Sequence, residues 1–249
     1  MHPQSVEPFG AARHRSHAAL GSRFKVVGLV DMETSRHASD GRRPATMAVA
    51  AAGFFLYFVL ALLLMHVVQP DYTITDHMIS DYAVGRYGWI MTTAFVSLSL
   101  GCLALAMGLF QEGPRSWLAR IGAGLLLVAF LGLIVTALFP TDLETAPTTR
   151  TGNIHTLSFL VNVVSICAST LCLALSYGGS PRWHRRRTPA LVLAGLLIVA
   201  FVAQFMTLHR GAPYGITNRL FVAILMAWLI SNSLWLKSSG SNAHAADIR

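Results

Sequence analysis

Five residues scattered along the chain carry most of its capacity for chemistry: Ser80, Asp81, Asp142, His155 and Arg219. Ser80 as nucleophile, His155 as base and Asp142 as orienter would form a hydrolytic triad. His77, Asp81, Asp142, His155 and His209 would instead make a mixed His/Asp metal site. His77 and Asp81 are four apart in it and would share a face of a helical turn. His66, His155 and His209 are imidazoles at similar depth, the kind of ligand that haem iron takes. Plainer roles compete with each of these. Ser80 can cap a short turn at Asp81-Tyr82-Ala83, no nucleophile elbow surrounds it, and no H-E-x-x-H zinc signature occurs. His155 can be a hydrogen-bonded histidine near an interface. Arg219 can snorkel outward or pair with Asp81 or Asp142. The sequence names no cofactor.

What must position these residues is a set of six apolar stretches, at 47–68, 89–110, 118–139, 154–176, 189–209 and 217–236. Each has about the twenty residues needed to span a hydrocarbon core of about 30 Å. The expected fold is an all-α integral membrane bundle of six transmembrane helices. Of the 19 Lys and Arg residues, fifteen fall in the N-terminal tail, the second and fourth connections and the C-terminus; only Arg86, Arg150, Arg210 and Arg219 fall in the others. Positive charge stays cytoplasmic, so both termini are expected inside and the first, third and fifth connections outside. All the candidate residues then gather on the outer face.

Composition agrees: 249 residues, 54% hydrophobic and 12% charged, make one membrane domain with no room for a separate soluble one. The net charge of +8 is mostly the cytoplasmic bias. It lacks the basic stripe with interleaved aromatics that nucleic acid would need. The lipid bilayer is the expected partner, with Arg182, Arg185, Arg186 and Arg187 near anionic headgroups or acting as an orienting signal; the sequence names no protein partner. Cys102, Cys167 and Cys172 all lie within spans and predict packing rather than a disulfide framework. Residues 1–46, rich in Arg, His, Ser, Ala and Gly, are expected to form a disordered cytoplasmic tail, and 237–249 a short second one. Met32 and Met47 are in-frame alternatives to Met1, and the first span is expected to be a retained anchor.

Small residues recur three or four apart on the second and third spans, as at Gly101, Ala104 and Gly108, and at Gly132 and Thr136; such spacing lets helices approach closely. On the fourth span His155, Ser158, Asn162, Ser165 and Ser169 trace one narrow face. That stripe must look into the bundle, because Asn162 in lipid would leave its amide unpaired. It provides either interhelical hydrogen bonds or a polar crevice with His155 at its mouth. The interiors of the spans hold no Asp, Glu, Lys, Arg or His. Coupled transporters place such groups near the midplane, so a transporter is disfavoured.

Four segments resemble a bacterial membrane family catalogued as domain of unknown function nine-nine-eight. They are Ile79-Ser80-Asp81 in the first connection, Pro140 and Asp142 after helix three, Gly152 and His155 opening helix four, and Gly215 to Arg219 opening helix six. The resemblance covers about residues 47 to 236. It departs from the family pattern in the displaced Gly85 and in Asn218, which stands where an acid commonly precedes the Arg. It implies six spans, the bacterial inner membrane and these placements, but no particular reaction.

Physical chemistry sharpens the expectation at three of these positions. Arg219 begins a helix, the wrong end for a cation, and Asp142 ends one, the wrong end for an anion. His155, in the first turn of a helix, is expected neutral and able to accept a proton or a metal. Asp81, Asp142, His155 and Arg219 are therefore expected to converge, with an Arg219–carboxylate ion pair at the centre. The functions compatible with this are a lipid-binding or partner-stabilising membrane subunit, or an interfacial enzyme, hydrolase-like, with or without a metal, acting on lipid or a lipid-linked substrate.

Overall fold

A computed structural model describes residues 44–143, 146–209 and 211–246, with side chains as far as Ser239. The expectation of a disordered tail concerns residues outside that range up to 43; Pro44 already belongs to the first helix. Six helices follow in order, α1 (Pro44–Val68), α2 (Gly88–Glu112), α3 (Trp117–Leu138), α4 (Arg150–Ser176), α5 (Arg187–Met206) and α6 (Tyr214–Ala246). All six are long and apolar enough to cross a membrane, and no strand occurs among the described residues. This is a multi-pass membrane protein. A 3₁₀ turn, Ile79–Ala83, interrupts the first connection. Even numbers of crossings bring the first, third and fifth connections (loops 1, 3 and 5) to one end.

Two boundaries differ from the hydropathy reading by more than three residues. α4 starts at Arg150, capped by Thr149, whose hydroxyl oxygen accepts from the Gly152 amide at 3.1 Å. Its first turn is too polar to register as apolar span. α6 continues to Ala246 rather than giving way to a tail near 237.

Packing follows the small residues. A methyl placed on Gly101 would come within 2.4 Å of the Phe55 ring, on Gly108 within 2.4 Å of Leu236, and on Gly122 within 2.7 Å of Leu173. These three glycines let α1, α6 and α4 press against α2 and α3. Gly124 meets nothing within 4 Å and serves no such contact. Hydroxyls tie the helices further: Ser97 donates to the Phe54 carbonyl at 2.9 Å, Ser99 to Phe130 at 2.8 Å and Ser169 to Gly122 at 2.7 Å. The cysteines are free, with Cys102 buried in the α2 interface.

At the end opposite loop 1 the arginine run is divided between protein and solvent. Arg182 pairs with Glu112 at 2.6 Å. Arg186 lies over the Trp183 ring and donates to the Trp235 carbonyl and the hydroxyls of Ser238 and Ser239. Only Arg185 and Arg187 of the four are exposed without such a bond.

Candidate functional site

Loop 1 is anchored on the first turns of α6. The Gly215 amide donates to the Thr75 carbonyl at 2.8 Å, and a side chain at Gly215 would collide with the carbonyls of Ile74, Thr75 and His77. One turn on, the Arg219 guanidinium gathers the same loop, donating to the Ile74 and His77 carbonyls at 3.0 and 2.7 Å. The same nitrogen, Nη1, also faces the Gly215 carbonyl, while Nη2 donates to the Tyr82 hydroxyl and Nε to Nε2 of His66. His66 donates through Nδ1 to the Leu62 carbonyl at 2.7 Å, which fixes Nε2 as the acceptor. Between Gly215 and Arg219, the Asn218 side-chain carbonyl accepts from the Ile79 amide at 3.0 Å. A carboxylate at that place could accept the same bond, so the amide here preserves the contact that holds the loop.

The expected Arg219–carboxylate pair is thus corrected. Carbonyl dipoles of a crossing loop satisfy the cation, and its fork suits several acceptors at once. Asp142 is relieved by a different helix. Its Oδ2 accepts from the Thr149 amide and its Oδ1 from the Thr149 hydroxyl, both at 2.7 Å, beside the positive N-terminal end of α4. These two bonds hold the Asp142 carboxyl below the usual carboxylate range. Gly152 makes the approach possible, since a methyl there would lie 2.0 Å from Oδ2.

One turn further along α4, His155 is only 4% exposed and donates from Nδ1 to the Phe139 carbonyl at 2.7 Å. That bond closes the exposed C-terminal end of α3. The ring also lies against the Thr136 backbone; in the neutral ring the Nδ1 donor leaves the lone pair on Nε2. Below it the stripe is buried, as its spacing predicts. Ser158 meets the Thr136 hydroxyl at 2.8 Å, and Asn162 donates to the same oxygen at 3.0 Å. Oδ1 of Asn162 is buried without a hydrogen bond, pressed against Gly132. The interhelical role and the crevice are both realised, because His155 and Asn162 also line a cavity.

That cavity holds about 440 Å³, within the range of small-molecule sites. Its deep walls are Phe58, Phe95, Leu133, Phe159, Ile166 and Phe221, drawn from α1, α2, α3, α4 and α6. Its polar rim is Ser80, Asp81, Asp142, His155, His209 and Asn218. Ser80 and Asp81 reach the rim because loop 1 is pinned to α6. The 3₁₀ turn is closed by Asp81, whose Oδ2 accepts from the Met78 amide at 2.8 Å. The cap expected from Ser80 comes from Asp81, and the Ser80 hydroxyl bonds to no described residue.

Convergence is therefore partial. Asp81, Asp142 and His155 share one cavity, while Arg219 stands behind the loop that covers it. The triad is not assembled: His155 turns Nδ1 to Phe139 rather than to Asp142, and Asp142 is engaged with Thr149. His77 leaves the proposed metal set, stacking on Tyr72 with centroids 4.7 Å apart. Among the described residues no three His, Cys, Asp or Glu side chains are grouped to hold a metal. The haem set also comes apart, since both nitrogens of His66 are bonded. The hydrogen-bonding roles of Thr136, Tyr82 and Asn218 are not read from the sequence. Their signal was positional: Thr136 lies four residues from Gly132, and Asn218 sits between the two residues that clasp loop 1.

Residues 49–234 match the family described as "Protein of unknown function (DUF998)", and the chain belongs to it. No curated protein and no solved structure matches the chain. The family positions named from sequence acquire physical roles here. Gly152 admits the Asp142 carboxylate, His155 closes α3, and Gly215 with Arg219 clasps loop 1.

Proposed function

We propose that this protein binds a lipid or another amphiphile in the cavity between α1, α2, α3, α4 and α6, its head at the rim and its apolar body among the phenylalanines. The observation that carries this reading is one cavity with its polar side chains gathered at one end and a mostly apolar deep wall, broken only by Thr136 and Asn162, the pattern of a small-molecule site. Orientation follows from charge. The end rich in Lys and Arg is cytoplasmic and the rim faces outward, in a bacterial inner membrane. Arg185 and Arg187, exposed at the cytoplasmic end, touch anionic headgroups.

The test is lipid identification by mass spectrometry on purified wild-type protein and on Leu133→Trp, which fills the cavity floor. One amphiphile should be enriched in the wild type and lost from the variant. Equal lipid content in two folded proteins would refute the reading.

A second reading, an interfacial hydrolase, is favoured by one observation. The Ser80 hydroxyl, which bonds to no described residue, and His155, whose Nδ1 donor is engaged with Phe139, line the same cavity. Catalytic hydrogen bonds often form only with substrate present. Under this reading Ser80→Ala would accumulate an intact lipid that the wild type turns over; identical bound lipid in both would exclude it.

A further inference from the structure

We infer that the cavity selects an amphiphile whose head is an uncharged polyol, with hydroxyls that both donate and accept hydrogen bonds. This rests on the amphiphile-binding reading and adds the chemistry of the head. Four rim residues have hydrogen-bonding capacity left over, and they differ in kind. His155 Nε2 offers a lone pair. Each Asp142 oxygen accepts one bond from Thr149 and keeps capacity for another. Asn218 uses its carbonyl on Ile79, leaving its NH₂ group as donor. Ser80 can do either.

Three head chemistries can be weighed against that set. A phosphate would satisfy Asn218 and Ser80 but place its charge beside the carboxylates of Asp81 and Asp142. The described rim residues include no Lys or Arg, and Arg219 is turned into loop 1. An ammonium would suit Asp142 and His155 but offer nothing to the Asn218 NH₂ group, which would lose its water without a new partner. A hydroxylated head meets all four, donating to His155 and Asp142 and accepting from Asn218 and Ser80. Sites built on mixed donors and acceptors discriminate strongly, because a wrong head leaves a polar group unpaired.

The experiment uses the full chain in phosphatidylcholine nanodiscs and three probes with the same dodecyl-length chain: monolauroyl glycerol, dodecylammonium and dodecyl phosphate. Bound probe is counted by native mass spectrometry across a concentration series. The glycerol ester should saturate at concentrations about tenfold below those of either charged probe, and Leu133→Trp should bind none of them. His155→Asn keeps a donor for the Phe139 carbonyl but lacks the Nε2 acceptor. It should lower glycerol-ester binding about five- to tenfold, the scale of one hydrogen bond, and leave the phosphate unchanged. Ser80→Ala breaks no bond within the described protein and should act in the same direction. Probe binding that Leu133→Trp leaves intact would sink the amphiphile reading itself. Binding that Leu133→Trp abolishes, but with a charged head preferred, would overturn the polyol inference alone. A glycerol preference untouched by both His155→Asn and Ser80→Ala would also overturn it, by removing these residues from head recognition.

Discussion

Gly132→Ala tests the α3–α4 interface at its tightest point. The added methyl would lie 1.9 Å from Oδ1 of Asn162 and 3.0 Å from its Cγ, so the side chain must move. Moving it breaks the 3.0 Å bond from Asn162 Nδ2 to Thr136. An interhelical hydrogen bond in a membrane contributes about 0.6 kcal/mol and at most about 1.7. Overpacking a filled interface costs about 1–3 kcal/mol more, while replacing a helical Gly by Ala returns up to about 1 kcal/mol. Gly124→Ala, on the same helix with nothing within 4 Å, isolates that last gain. The difference between the two variants should therefore be about 1.5–4.5 kcal/mol. Reversible unfolding in mixed micelles with increasing sodium dodecyl sulfate, followed by circular dichroism, measures it. The clash involves only Asn162, so in an Asn162→Ala background Gly132→Ala should behave like Gly124→Ala. Equal destabilisation in both backgrounds would show that the close approach is not to Asn162 and refute the reasoning.

Arg219→Lys should loosen loop 1, because one ammonium cannot reach acceptors on Ile74, His77, Tyr82 and His66 together; amide exchange across 74–82 should quicken at least about tenfold, and unchanged protection would contradict the clasp. Cysteines introduced at the exposed Thr75 and Thr148 should react with an impermeant thiol reagent in intact cells, while one at the exposed Arg185 should not; the reverse pattern would invert the orientation. The Asp142 carboxyl titrates lower in the folded protein than in the unfolded chain. Its contribution is thus complete above about pH 4 and lost as pH falls through the lowered folded value. Thr149→Val removes the hydroxyl donor, so its folded value rises and the acid limb of a melting-temperature profile should shift to higher pH; superimposable profiles would count against this role.

The helices were legible because twenty-residue apolar runs have few other solutions. Their ends were less so, since Arg150 to Asn153 and the stretch after Lys237 are helical without being apolar. The inward face of α4 could be read from the three-four spacing of His155, Ser158 and Asn162. The partner of Arg219 could not. Charge reasoning looks for a carboxylate, whereas the acceptors are main-chain carbonyls whose location depends on the path of loop 1. Gly215 carried the missing hint, because a glycine one turn before an arginine marks where another backbone can come close. Asp142 was misjudged for a similar reason. Its position after α3 was visible, but the turn that brings it to the start of α4 was not.

The bond between Ile79 and Asn218 joins residues 139 positions apart. At about 5–20 residues per second, synthesis takes roughly seven to thirty seconds to travel that distance. The hairpin of α1 and α2 is therefore in the bilayer well before Gly215, Asn218 and Arg219 exist. Through that interval the carbonyls of Ile74, Thr75 and His77 lack the partners that Gly215 and Arg219 supply. Ser80 and Asp81 take their places only when the last helix inserts. A chain stalled before α6 would hold five helices in the membrane and lack the wall that Asn218, Phe221 and Leu225 give the cavity, so the cavity closes only with the last span.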